Sequence, residues 1–260
     1  CPFPDHSDTN PSFVVYPETQ SFYCFGCKRG GSVIDYVMHR DGVTACEAIR
    51  ILCEWASIPM PSWTPEQKTE WEKQKAEKDR IDPILHEAFQ IYHDEMDEAH
   101  INAVVQPLSP RDYFRGRGLT NEMIDKELLG YAPDNDTFLI SRLHNKYDAK
   151  DLLLSGLFVK VGGGILDAYQ RRYLFPYWNR GKIVYSIGRR DTDDPEEIEK
   201  LPEWNRGKYK KHLTRTEKFP YVSETIENVI WNADCVKSFK EGTIAEGIVD
   251  ALHAKQAGFG

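Results

Sequence analysis

Four soft metal ligands sit within the first 27 positions of this chain: Cys1 and His6, then Cys24 and Cys27, in the stretch CPFPDHSDTNPSFVVYPETQSFYCFGCKRGG. Zn²⁺ takes thiolate and imidazole ligands in a tetrahedron. A Cys-x2-Cys pair on a tight turn supplies two of them, and a second short-spaced pair supplies the rest. Phe25-Gly26 suits such a turn, because glycine lets the backbone swing its amides toward a sulfur. Four protein ligands leave no position open for water, so the spacing implies a structural ion. Such an ion contributes roughly 10–16 kcal/mol in small fingers, yet it does not replace packing. About half of the aromatics Phe13, Tyr16, Phe22, Tyr23 and Phe25 are therefore expected in a core, with the others and Lys28 and Arg29 free for a ligand.

The metal pairs frame two short strands, 12–16 (SFVVY) and 21–25 (SFYCF), rich in β-branched and aromatic residues around a Pro-Glu turn. Ser32 then caps a helix on which Val33, Ile34, Val37 and Met38 repeat at helical spacing. Thr44 and Glu47 form a capping box for the next, whose expected buried stripe is Ile49, Leu52, Cys53 and Ala56. This module covers 1–58. Residues 59–80, proline-rich and then strongly charged, read as a linker or a solvated helix. A helix over 82–104 follows, then two short helices around Gly118. YLFPYW and KIVYSIGRR are strand-like and joined by Asn-Arg-Gly, a hairpin signal. GTIAEGIVDALHAKQAG reads as strand, turn and helix. The fold class is α+β multidomain.

With 260 residues and 40% hydrophobic content, the chain can hold one large domain or two to three small ones. No apolar run approaches the roughly 18 residues that span a bilayer, and no membrane partner is expected. Six cysteines, three of them assigned to zinc, suit a reducing compartment. Cys46 and Cys53 read as small core residues, and Cys235 has no evident partner. The formal charge of −8 argues only weakly against nucleic acid, since local patches decide binding. One such patch runs from Arg171 to Lys218, and its acids, bunched in DTDDPEEIE, are expected to face away from the bases. The start at Cys1 and the stop at Gly260 point to a piece of something longer.

Four motifs in order resemble one known family. CPF…H.D..PSF with FYCFGCKRGG and VIDYV resembles the zinc-binding domain of bacterial-type (DnaG-like) DNA primases and their phage and plasmid relatives. YFRGRGLTNEMIDKELLGYAPD resembles the helical start of the primase RNA-polymerase core, and RRYLFPYWNRGKIVYSIGRR with KYKKHL its β-rich subdomain. IAEGIVDALHAKQAGF is similar to the first motif of a TOPRIM fold. The first half-site departs from the family pattern: Pro4 stands where histidine is familiar, so His6 is assigned, with Asp5 or Asp8 as weaker oxygen candidates. The family's Asp-x-Asp metal cluster is not reached.

The resemblance implies a division into a zinc ribbon (1–58), a linker (59–80), the N-terminal part of the polymerase core (81–240) and the opening of a truncated α/β TOPRIM subdomain (241–260). It implies RNA primer synthesis on single-stranded DNA during replication, by a nucleotidyltransferase in the cytoplasm of a prokaryotic cell or a phage-infected host. Glu246 and Asp250 would be catalytic carboxylates, Glu246 binding Mg²⁺ or Mn²⁺. Arg172, Arg189, Lys208 and Tyr209 match basic positions around template and ribonucleotide, with Arg171 and Arg190 as neighbours if the register slips by one. A replicative helicase, fused or separate, would be the partner, and this piece alone is expected to be inactive. The competing readings are a non-catalytic zinc-ribbon DNA-binding protein and another TOPRIM enzyme, a nuclease or topoisomerase.

Overall fold

In the computed structural model, which describes residues 1–4, 11–60, 64–98, 109–232 and 243–259, the metal hairpin is β1 (Phe13–Tyr16) and β2 (Ser21–Cys24). They pair antiparallel with Phe13 opposite Cys24 and Tyr16 opposite Ser21. His6 and Cys235 lie outside the described residues. A third strand, β3 (Gly30–Ser32), returns along β2. Sequence reading treated its glycines only as the approach to a helix. A Cβ on Gly30 would stand 2.6 Å from the Tyr23 ring and 2.9 Å from the Phe22 carbonyl, so only glycine allows this close return.

Both capping boxes form. Ser32 and Asp35 start α1 (Val33–Asp41), which ends at Gly42 with φ 67°. Thr44 and Glu47 start α2 (Ala45–Ala56). Phe3, Phe22, Cys24, Val37 and Ala48 form the small core. Phe13 and Tyr36 close it, with Phe13 stacked on Phe22 at 5.4 Å. Phe13 and Phe22 are thus packing residues, while Tyr16 and Phe25 are exposed. On α2 the buried residue is Ala48, and Ala56 faces solvent rather than completing the expected stripe.

The chain divides into two units, Cys1–Lys68 and Thr69–Gly260. Residues 65–80 are not an extended tether: α3 (Pro65–Glu98) runs unbroken from Pro65 into the helix expected from residue 82. Thr64 and Gln67 cap its start reciprocally. Its first turns are solvated, as KTEWEKQKAEKDR dictates. From Ile81 the apolar positions 81, 84, 85, 88, 89, 92 and 96 recur at helical spacing and are buried.

The second unit is built on one antiparallel sheet in the order β4-β7-β8-β9. Chain order is α4 (Pro110–Gly116), α5 (Asn121–Lys126), β4 (Gly130–Ala132), α6 (Phe138–Leu143) and α7 (Ala149–Leu154). The hairpin β5 (Phe158–Val161)–β6 (Gly164–Asp167) follows. Then come β7 (Arg172–Asn179), β8 (Lys182–Arg190), α8 (Pro195–Lys200), a 3-10 turn at Glu203–Asn205, β9 (Tyr209–Lys211) and α9 (Ile248–Gln256). The β7–β8 turn has positive φ at Arg180 (51°) and Gly181 (73°), the geometry a two-residue hairpin requires. One core, of α3, α6 and α7 residues with Leu174 and Ile183, lies against the sheet. A second joins Phe114, Leu119 and Ile124 to Tyr131, Tyr173, Phe175, Val249 and Leu252. No helix among the described residues is long and apolar enough to cross a membrane.

The strand expected just before Glu246 does not form. Residues 243–247 are irregular, and Ile244 is fully exposed. A strand needs a neighbour to take its backbone hydrogen bonds, and none flanks this segment among the described residues.

Candidate functional site

In the first unit, the Sγ atoms of Cys1, Cys24 and Cys27 all lie within 4.8 Å of one another. Tetrahedral Zn–S bonds of about 2.3 Å set sulfurs roughly 3.8 Å apart, so the three thiols fit one zinc ion. Cys24 is fully buried at the end of β2. Burial works against its thiolate, yet hydrogen bonding from Ser12 and from the Cys27 and Gly26 amides brings the thiol down to about 6. A sulfur held in that state is a ready metal ligand. Lys28, with φ 63°, closes the turn by donating from its amide to the Cys24 carbonyl at 2.8 Å.

In the second unit, the register fixes one row across all four strands: Tyr131 opposite Tyr173, Tyr173 opposite Arg189, Arg189 opposite Tyr209. Side chains in one row share a face. Tyr113 of α4 lies flat on Tyr173, centroids 3.6 Å apart and planes 7° from parallel. The Arg189 guanidinium stands 5.4 Å from the Tyr113 ring centroid. Tyr209 is half exposed, and the Lys208 ammonium is 6.0 Å from its ring centroid. Three of the expected binding residues, Arg189, Lys208 and Tyr209, therefore gather at the β8–β9 edge. Arg190 falls on the alternate face, opposite Arg172.

Arg172 is corrected. It shares the other face with Arg190, opposite it in the register, and is 1% exposed. Its Nε donates to Asn205 Oδ1 (2.9 Å), Nη2 to the carbonyls of Asn205 (2.7 Å) and Gly207 (3.0 Å), and Nη1 to that of Gly188 (3.1 Å). Burial drags it down to about 10. With Nη1 also reaching the Lys208 carbonyl at 3.5 Å, all five N–H donors are engaged within the protein, and their work is to hold the segment leading into β9. The acids of DTDDPEEIE do not face away from the bases. Asp191 pairs with Arg171 at 3.3 Å, Asp193 with Arg189 at 2.5 Å, and Glu197 with Arg171 and Lys200.

Glu246 and Asp250 are exposed at the start of α9. Asp250 leans back over Gly247, where a Cβ would lie 2.6 Å from its Oδ2. Two hard carboxylates at a helix start are the right donor type for a divalent ion. The helix that carries Asp250 is fastened at its far end. Gln256 Nε2 donates to the Gly118 carbonyl and its Oε1 accepts from the Thr120 amide, while His253 Nε2 bonds the Arg117 carbonyl at 2.7 Å. Lys255 pairs with buried Glu127 at 2.8 Å.

Sequence reading did not single out Tyr113, Tyr173 or Arg117. The signal was present in YFRGRGL, whose Tyr113 and Arg117 are four apart and so share a helix side.

Comparison with known proteins gives two family matches in sequence: the CHC2 zinc finger over residues 1–68, and the DNA primase catalytic core, N-terminal domain, over 98–212. Among curated relatives, the DNA primase of Listeria monocytogenes is 26% identical over 269 residues, covering 99% of this chain and 39% of that one. The DNA primase of Pseudomonas aeruginosa is 30% identical over 214 residues, covering 78% and 30%. The chain thus spans about two fifths of the length of the first curated relatives it matches. A solved DnaG primase catalytic domain bound to single-stranded DNA shares the fold, with a TM-score of 0.50 at 18% identity, over 71% of this chain and 54% of that one.

Proposed function

This chain belongs to the bacterial, DnaG-type DNA primase family, of which it carries the zinc ribbon and the N-terminal part of the catalytic core, and we propose that it takes part in RNA primer synthesis on single-stranded DNA. The observation that carries this reading is the Arg189–Tyr209 cross-strand pair, a cation beside a half-exposed aromatic face at the sheet edge. Base stacking on such a face contributes about 1–3 kcal/mol, and the flanking cations suit the backbone phosphates.

In this reading residues 1–58 read the template through the exposed Tyr16, Phe25 and Lys28 and the half-buried Arg29. The core spans 81–240, and 241–260 open a TOPRIM subdomain. Glu246, with Asp250 beside it, would hold Mg²⁺ or Mn²⁺; when bound, the ion lowers the cost of ionising a 3′-hydroxyl and of releasing pyrophosphate. Arg189 and Lys208 hold phosphate oxygens of template or ribonucleotide, and Tyr209 orients a base. The proposed setting is the replication machinery of a prokaryotic cell or infecting phage, with a replicative helicase as partner.

The test is template-dependent ribonucleotide incorporation by the full-length protein. Glu246→Gln is expected to reduce incorporation to background while DNA affinity, read by fluorescence anisotropy, stays near wild type. Undiminished incorporation would refute the role given to Glu246, and a wild-type protein that makes no primer on any single-stranded template would refute the function.

A further inference from the structure

Ring packing explains a phenyl group at position 113: the side chain lies flat on Tyr173 and meets the Phe114 ring at 5.3 Å. It does not explain the hydroxyl. The Tyr113 Oη is buried and has no hydrogen-bond partner among the described residues. Its neighbour in the row, Tyr131, is served by Asp191 at 2.9 Å. Buried hydroxyls without partners are few in native proteins, because the lost hydration is not repaid.

The surroundings of this oxygen have a definite sign. Burial lifts the phenol above its ordinary value while Arg189 and Arg117 pull it down, with Tyr209 and Asp193 acting weakly the other way. At neutral pH it is therefore an O–H donor with two arginines close by. Asp193, the carboxylate that acts on it, is spent on Arg189. A buried donor flanked by cations calls for an acceptor that also carries negative charge.

We propose that the Tyr113 hydroxyl donates a hydrogen bond to a phosphate oxygen of the ligand held by Arg189, making Tyr113 a ligand-contacting residue. The inference rests on the primase reading and adds a residue and a bond to it. The phosphate could come from a ribonucleoside triphosphate or from the template backbone.

Tyr113→Phe in the full-length protein keeps the ring on Tyr173 and removes one oxygen. Two probes are titrated separately, ATP and a dodecathymidylate, by isothermal calorimetry. A loss of about tenfold for ATP alone assigns the phosphate to the nucleotide, and the same loss for the oligonucleotide alone assigns it to the template. The melting temperature is expected to stay at or above that of wild type, because no satisfied hydrogen bond is removed. Affinities equal within about twofold for both probes, in a wild-type protein that does synthesise primers, overturn this inference and leave the primase reading standing. A wild-type protein that binds neither probe overturns both.

Discussion

Replacing Arg172 by methionine tests whether a cation in the basic stretch serves the ligand or the fold. The guanidinium makes four hydrogen bonds between 2.7 and 3.1 Å, to Asn205 Oδ1 and to three backbone carbonyls. Methionine fills most of the volume but leaves those acceptors buried and unpaired. Breaking a buried charged network of this kind costs about 3–5 kcal/mol. For a unit of some 150–250 residues, each kcal/mol lowers the melting temperature by about 2–4 °C, so the expected drop is roughly 6–20 °C by scanning calorimetry. Arg172→Lys should recover little of it, because one ammonium cannot reach acceptors fanned around a planar fork. Lys208→Met, at an exposed position, should change stability by no more than about 0.5 kcal/mol. An Arg172→Met protein that melts within about 1 °C of wild type while losing DNA affinity would refute the structural role and restore the phosphate-binding one.

Two further outcomes follow from the same geometry. Cys24→Ser is expected to lower bound zinc, by elemental assay, from one ion per chain to none, and to abolish amide-exchange protection across 13–56; retained stoichiometric zinc would count against the ligand set. His212 is buried, its Nε2–H donating to the Ser155 carbonyl (2.7 Å) and its Nδ1 accepting from Ser186 Oγ (2.8 Å), and burial depresses it to about 4. The unfolded chain protonates it below about 6.5 and the folded chain refuses the proton until about 4. Its contribution is therefore intact above 6.5 and is lost as pH falls toward 4, by up to about 3 kcal/mol. Urea midpoints at pH 7 and 4.5 should show that loss in wild type and a smaller one in His212→Gln; equal losses would dismiss the assignment.

Local chemistry was legible in the sequence where one residue decides the outcome. Ser32 and Thr44 cap their helices with Asp35 and Glu47 as the spacing requires, and Asn179-Arg180-Gly181 turns the long hairpin. What eluded sequence reading depends on partners far along the chain. Arg172 and Arg189 are both arginines in β-rich motifs, and nothing local separates one that holds carbonyls 33 residues away from one that faces an aromatic row. β3, β4 and β9 are three residues each, too short to show a period, and exist because a longer neighbour supplies their hydrogen bonds. Residues 243–247 show the converse: a strand-like sequence with no such neighbour among the described residues stays irregular.

The register slip between Tyr177 and Trp178 lies toward the hairpin tip, several residues from where Tyr173 faces Arg189. An insertion or deletion at the tip has somewhere to be absorbed before it reaches the row. The same change at Gly188 would trade Arg189 for its neighbour and move the cation opposite Tyr209 to the other face of the sheet. Natural or engineered length variation in this hairpin should therefore cluster at 178–182 and be missing from 186–189.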